Sequence, residues 1–172
     1  DRAFSVFDIA TGERTTRFEV KRVPMHNEYA VSPGGHYLAL TDDRKRISLY
    51  DLRNGVIAGD LSIPSESGFV SIVGIDFSRD GSELALVNRE GQRWTLYCWS
   101  MQNGELMAEH KLNEDKSLKS LLPSDGRCRL IDWVPNGKGW LVGGVALVDR
   151  EQGGPIWVAP GAESSLHRTY HR

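Results

Sequence analysis

Apolar and polar residues alternate in short runs along this chain. Segments 4–7, 47–50, 94–99 and 145–148 are rich in aromatic and β-branched side chains, and each leads at once into a five-residue turn ending in glycine. The four turns are Asp8-Ile-Ala-Thr-Gly12, Asp51-Leu-Arg-Asn-Gly55, Ser100-Met-Gln-Asn-Gly104 and Asp149-Arg-Glu-Gln-Gly153. Another β-rich segment follows each. This pattern predicts four hairpins, with glycine where positive φ is needed and Asp or Ser bracing the turn through the backbone two residues on. The four glycines stand 43, 49 and 49 residues apart, which is a repeat.

A second turn sits between the hairpins three times, as Ser32-Pro-Gly-Gly35, Ser78-Arg-Asp-Gly81 and Val134-Pro-Asn-Gly137. Its flanks are apolar segments 28–31 with 37–40, 72–77 with 84–87, and 130–133 with 140–142. The repeating unit is therefore strand a, glycine turn, strand b, loop, strand c, Asp-x-x-x-Gly turn, strand d. Counting gives a half unit at 3–19, whole units at about 26–63, 70–112 and 128–159, and a polar tail at 161–172. The expected fold is all-β, with fourteen strands within residues 1–160. In the last unit Gly143-Gly144 becomes the b-to-c turn, and a helical turn is expected at 116–122, before Pro123.

Four-stranded antiparallel units of roughly 40 to 45 residues, in a chain where no unit can bury both faces alone, are what propeller blades show. An immunoglobulin-like sandwich does not predict two turn motifs alternating in fixed order. The chain resembles the WD40 and YVTN-like β-propeller superfamily over nearly all of Ala3 to Ala159. Phe7-Asp8, Tyr50-Asp51 and Val148-Asp149 occupy the place of that family's Trp-Asp dipeptide, Trp99-Ser100 keeps the Trp, and the Ser32 and Ser78 turns are similar to its Ser-Pro-Asp-Gly turn. The Gly-His dipeptide that opens regular repeats is absent, so the repeats are degenerate. The resemblance implies a β-propeller segment of about three and a half blades and a surface for protein contacts. Three and a half blades do not close a ring, so the expectation includes self-association or completion by other chain segments.

Composition narrows the function. A formal net charge of -2 and a pI near 6.2 supply no basic field for nucleic acid or an anionic membrane, and no apolar run approaches the roughly 20 residues that span a bilayer. Cys98 and Cys128 are read as half-buried thiols and leave the compartment unspecified. No hydrolase elbow, phosphate loop or metal signature occurs, and no cofactor is expected. His167 and His171 in the tail are two ligands without a third, and Asp42-Asp43 reads as a solvated turn. Trp94, Trp99, Trp133, Trp140 and Trp157 are expected to fill contacts between blades.

The d-to-a and b-to-c connections share one face. They hold ten Lys or Arg against eight acids, where the glycine turns opposite hold four against seven. Long loops on a rigid scaffold carry function. The candidate partner-binding face is thus that of Arg44, Lys45, Arg46, Arg89, Arg93, Lys116 and Lys119, on a non-catalytic module that binds protein. The alternative is part of a propeller enzyme or ligand sensor with an axial site, completed elsewhere, that uses strand a residues such as His26.

Overall fold

The structure is a computed structural model, and it describes residues 3–20, 29–43, 45–64, 71–116, 118, 122 and 131–160. Fourteen strands lie among these residues. A two-stranded sheet, β1 (Ala3–Phe7) and β2 (Arg14–Glu19), comes first. The second sheet holds β3 (Tyr29–Val31), β4 (Tyr37–Asp43), β5 (Arg46–Asp51) and β6 (Ile57–Ser62). The third holds β7 (Ser71–Phe77), β8 (Glu83–Glu90), β9 (Arg93–Ser100) and β10 (Leu106–Lys111). The fourth holds β11 (Ile131–Trp133), β12 (Gly139–Val142), β13 (Ala146–Asp149) and β14 (Pro155–Val158). Every neighbouring pair is antiparallel and consecutive in sequence, the arrangement that short turns permit. The first strands of successive sheets, β3, β7 and β11, lie side by side, and the Trp133 indole donates to the Asp76 carbonyl at 3.2 Å.

Turn chemistry explains the recurring polar residues. Asp8 Oδ1 accepts from the Ala10 and Thr11 amides at 2.9 Å, Asp51 Oδ1 from Arg53 at 2.8 Å, and Asp149 Oδ1 from Glu151 and Gln152 at 2.8 Å. Ser100 Oγ does the same for Gln102 at 3.2 Å. In the other turn, Ser32 Oγ accepts from the Tyr37 amide and Ser78 Oγ from the Glu83 amide, both at 2.9 Å. Val134 has no hydroxyl to offer there and keeps only the backbone bond common to all three turns, its amide donating to the Gly139 carbonyl at 3.2 Å as those of Ser32 and Ser78 donate to Tyr37 and Glu83 at 2.9 Å.

The third sheet is covered on both faces, which is why β8 reads as the unbroken apolar run Leu84-Ala-Leu-Val87. Leu84, Leu86, Tyr97 and Trp99 pack with Ala39, Ile47 and Leu49 of the second sheet. On the other face Ala85, Val87, Leu96 and Cys98 pack with Ile131, Trp140 and Val148 of the fourth. A third cluster joins Phe4, Val6 and Phe18 of the first sheet to Leu38, Leu40 and Tyr50 of the second. Trp94, Trp99 and Trp140 are buried and Trp133 half-buried in these contacts. Trp157 is not. Its pairing with Leu147 puts it on the face turned away from the third sheet, where it stands 49% exposed.

The Asp-x-x-x-Gly glycines do more than turn the chain. A Cβ on Gly55 would lie 2.7 Å from Phe18 Cβ, one on Gly104 3.4 Å from Leu61, and one on Gly153 would overlap the His110 ring. Phe18, Leu61 and His110 belong to or follow the last strand of the preceding sheet, so each glycine seats a side chain from the sheet before it.

Candidate functional site

Of the seven basic positions of the expected face, Arg46 lies in the second sheet and Arg89 and Arg93 in the third. Arg44 and Lys119 lie outside the described residues, as do Cys128, His26, His167 and His171. Lys45 and Lys116 are exposed, and Lys116 is helical together with Leu118 in the connection after β10. Arg46 opens β5 and its Nε lies 3.9 Å from an Asp60 carboxylate oxygen. Arg89, near the end of β8, donates from Nε to the Gly91 carbonyl at 2.9 Å and holds its guanidinium 5.7 Å from the centre of the Trp94 ring.

Arg93 lines a cavity. A groove of about 570 Å³ opens on the third sheet beside Pro64, which follows β6, within the range of ligand sites. Residues one apart on a strand point to opposite faces, so Thr95 and Tyr97 of β9 share Arg93's side, toward the second sheet. On β10, Glu109 stands opposite Tyr97 and Lys111 opposite Thr95. The Tyr97 hydroxyl forms the anchor of the floor, donating to the Pro64 carbonyl at 2.5 Å. Burial, then the negative charge of Glu109, pushes this phenol above its usual pKa, so it stays a neutral donor.

Charge around the groove is mixed. Glu90, Glu109 and Glu114 surround Arg93 and Lys111, and Lys111 Nζ lies 3.9 Å from a Glu114 oxygen. These pairs are exposed and contribute little to stability. What they offer is an array of donors and acceptors over a tyrosine floor, suited to recognition. Sequence reasoning reached Arg93 but missed Tyr97, Glu109 and Lys111. The signal was the alternation of Glu109 and Lys111 along β10, one side of which faces the groove.

The opposite edge carries a smaller cleft of about 360 Å³ between the Ser78–Ser82 turn, the 133–137 turn and Arg150. Its chemistry is structural. Arg150 forms an ion pair with Glu83, and the other Glu83 oxygen lies 3.5 Å from Cys98 Sγ. Burial, then the charge of Glu83, pushes the thiol of this free cysteine, Cys98, up to about 12, which favours its protonated form at neutral pH. It is fully buried where half-burial was expected. Asp80 is held down to about 2, chiefly by the Ser78 hydroxyl and then by Ser82. Among the described residues no three His, Cys, Asp or Glu side chains are grouped to hold a metal, and no helix is long and apolar enough to cross a membrane.

Repeated four-stranded antiparallel sheets packed face to face, first strands innermost, define a β-propeller segment. Two solved structures agree. The Kuenenia stuttgartiensis hydrazine synthase is similar over 90% of this chain and 42% of its own, at 17% identity and a TM-score of 0.60. The β-propeller domain of Myceliophteria thermophila Cps50 (Swd1) is similar over 90% of this chain and 47% of its own, at 13% identity and a TM-score of 0.59. The chain thus spans less than half the length of either. No family model matches the chain, and no curated protein matches it.

Proposed function

We propose that this chain is a non-catalytic, WD-repeat-like propeller module that binds another protein through the groove on its third sheet beside Pro64. The observation that carries the reading is the groove itself: a rigid floor of Tyr97 tied to Pro64, rimmed by Glu90, Glu109 and Glu114 beside Arg93 and Lys111. Three acids against two bases, with Tyr97 between them, suit an extended peptide that brings basic side chains and one apolar group. Neither nucleic acid nor a membrane surface matches that rim. The WD-like turns supply the scaffold that holds this rim.

Selection of displayed peptides against the chain, followed by titration of the selected peptides, tests this. Basic peptides should emerge, and the Glu109→Lys, Glu114→Lys double variant should bind them at least about tenfold more weakly, a difference of about 1.4 kcal/mol. Equal affinity for wild type and variant would remove the groove from the account.

A further inference from the structure

The third sheet has described sheets packed on both faces, yet its outermost strand, β10, has an edge with which no described strand pairs. Backbone register shows which groups line that edge. The Ser100 amide donates to the Glu105 carbonyl at 2.9 Å, and the Trp94 amide donates to Asn113 Oδ1 at 3.3 Å. Residues two apart on a strand turn their backbone groups the same way, so Ser100, Cys98, Leu96 and Trp94 of β9 all bond toward β10. Ala108 and His110, opposite Cys98 and Leu96, bond back toward β9. Glu109 and Lys111 therefore turn both N–H and C=O outward, away from the sheet.

This edge lies between two cavities. The Glu109 and Lys111 side chains take the Tyr97 side, where they line the groove of about 570 Å³. His110 takes the other side, its ring 5.9 Å from that of Trp140 in the fourth sheet. There Glu114, Asp115 and the turn 152–154 border a second cavity of about 580 Å³. A strand laid along the free edge drops successive side chains into one cavity and then the other. Around the two together stand four acids, Glu90, Glu109, Glu114 and Asp115, against Arg93 and Lys111.

We propose that an extended segment of another protein, carrying two adjacent basic residues, adds as a strand to the outer edge of β10. One basic side chain enters the groove and the next enters the cavity beside His110. The inference rests on the groove reading above and adds to it the backbone pairing and the second side. A different protein is the occupant because basic residues complement this rim, whereas a copy of this chain would bring the same excess of acids against it.

Hydrogen exchange of the full 172-residue chain is followed amide by amide, alone and with the tightest basic peptide from the display selection. Alone, Glu109 and Lys111 should exchange fast and Ala108 and His110 slowly, and the peptide should slow Glu109 and Lys111 at least about tenfold. The same peptide is then N-methylated at one residue at a time. Binding should weaken at least about tenfold at every second residue and hardly change at those between, because only alternate amides face β10. Replacing either of two adjacent basic residues of the peptide by Ala should also weaken binding. Unslowed Glu109 and Lys111 amides, or N-methyl losses that do not alternate, overturn strand addition, and they leave the groove reading intact where the Glu109→Lys, Glu114→Lys variant still loses the peptide. Unchanged affinity of that variant removes the groove reading and this inference with it, as does a selection that returns no peptide. Slowing of the same amides by raised chain concentration alone gives the edge to a second copy and overturns the proposal.

Discussion

Hairpins β1–β2 and β9–β10 are the same device in two settings. Both carry a five-residue turn ending in glycine, braced by Asp8 in one and Ser100 in the other. Around β9–β10 both faces are packed, so Trp99 and Met101 sink into the second sheet and Cys98 into the cluster with the fourth. Around β1–β2, among the described residues, the face with Phe4, Val6 and Phe18 is the packed one. The same turn device thus gives a buried unit where described sheets pack on both faces and a half-exposed one where a described sheet packs on one. Local turn chemistry specifies the hairpin, and the neighbouring sheet decides what each side chain is worth.

The contrast is broken most sharply at the residue that precedes the Asp or Ser. Trp99→Ala, at a position 2% exposed, should lower stability by about 3–5 kcal/mol through lost burial and the cavity left behind. Phe7→Ala, at the equivalent but 58% exposed position, should cost about 1 kcal/mol or less in dilute solution. Urea unfolding of the two variants side by side checks this. Comparable losses would mean that β1–β2 is covered as β9 is.

A smaller gap is expected three residues before the glycine. Arg150→Ala removes the partner of Glu83, whose side chain is 14% exposed, and should cost about 1–3 kcal/mol, the partial exposure of Arg150 moderating the loss. Ile9→Ala should change stability by no more than about 0.5 kcal/mol. Thermal unfolding midpoints measure both.

Cys98 sharpens the account of the packed side. With Cys128 replaced by Ser, a thiol reagent at pH 8 should modify Cys98 only as the chain unfolds. The thiol pKa is raised on folding to about 12, so the unfolded state loses its proton first. This contribution to stability is intact below the usual thiol pKa near 9 and declines as pH rises from there toward 12. Replacing Glu83 by Gln should ease the thiol's deprotonation, since its charge helps raise the value. Rapid labelling of the native chain at pH 8 would show that the fourth sheet does not close over β9.

Asp80 should give the smallest effect. Its carboxylate is held to about 2 by the Ser78 hydroxyl and the Ser82 amide and hydroxyl, so its stabilisation is present above the ordinary value near 3.8 and is lost as pH falls through 2. The group is exposed, and the slope should be slight. In Asp80→Asn that part of the acid slope should vanish. An unchanged slope would mean that the turn is not braced by this carboxylate.

Much of the fold was legible because its repeat is written in turn residues, whose demands are local. Gly143-Gly144 turns β12 into β13 as the spacing implied, both with positive φ. Apolar runs such as 84–87 marked strands covered on both faces. Trp157 lies on the face of β14 turned away from the third sheet, and composition does not say which face of a strand a side chain takes. The groove was legible only in part. Basic residues in loops could be counted, but β9–β10 register decides that Glu109 stands opposite Tyr97, and the path after β6 decides that Pro64 receives its hydroxyl. Neither is local. The second role of the Asp-x-x-x-Gly glycine, as a seat for the preceding sheet, was likewise invisible, because Gly12 and Gly153 look alike in sequence.

Those two glycines provide the most direct test of the central claim, that the repeated turn is also the joint between sheets. Both have positive φ, 71° and 69°, so replacement by Ala costs each about 1–2 kcal/mol in backbone strain. Only at Gly153 does the new methyl collide with His110, whose Nε2 also lies 2.9 Å from the Arg150 carbonyl. Unfolding free energies of Gly12→Ala and Gly153→Ala, measured in urea under one set of conditions, should differ by about 2 kcal/mol, with Gly153→Ala the less stable. Equal losses would contradict the account, since the glycine would then serve the turn alone.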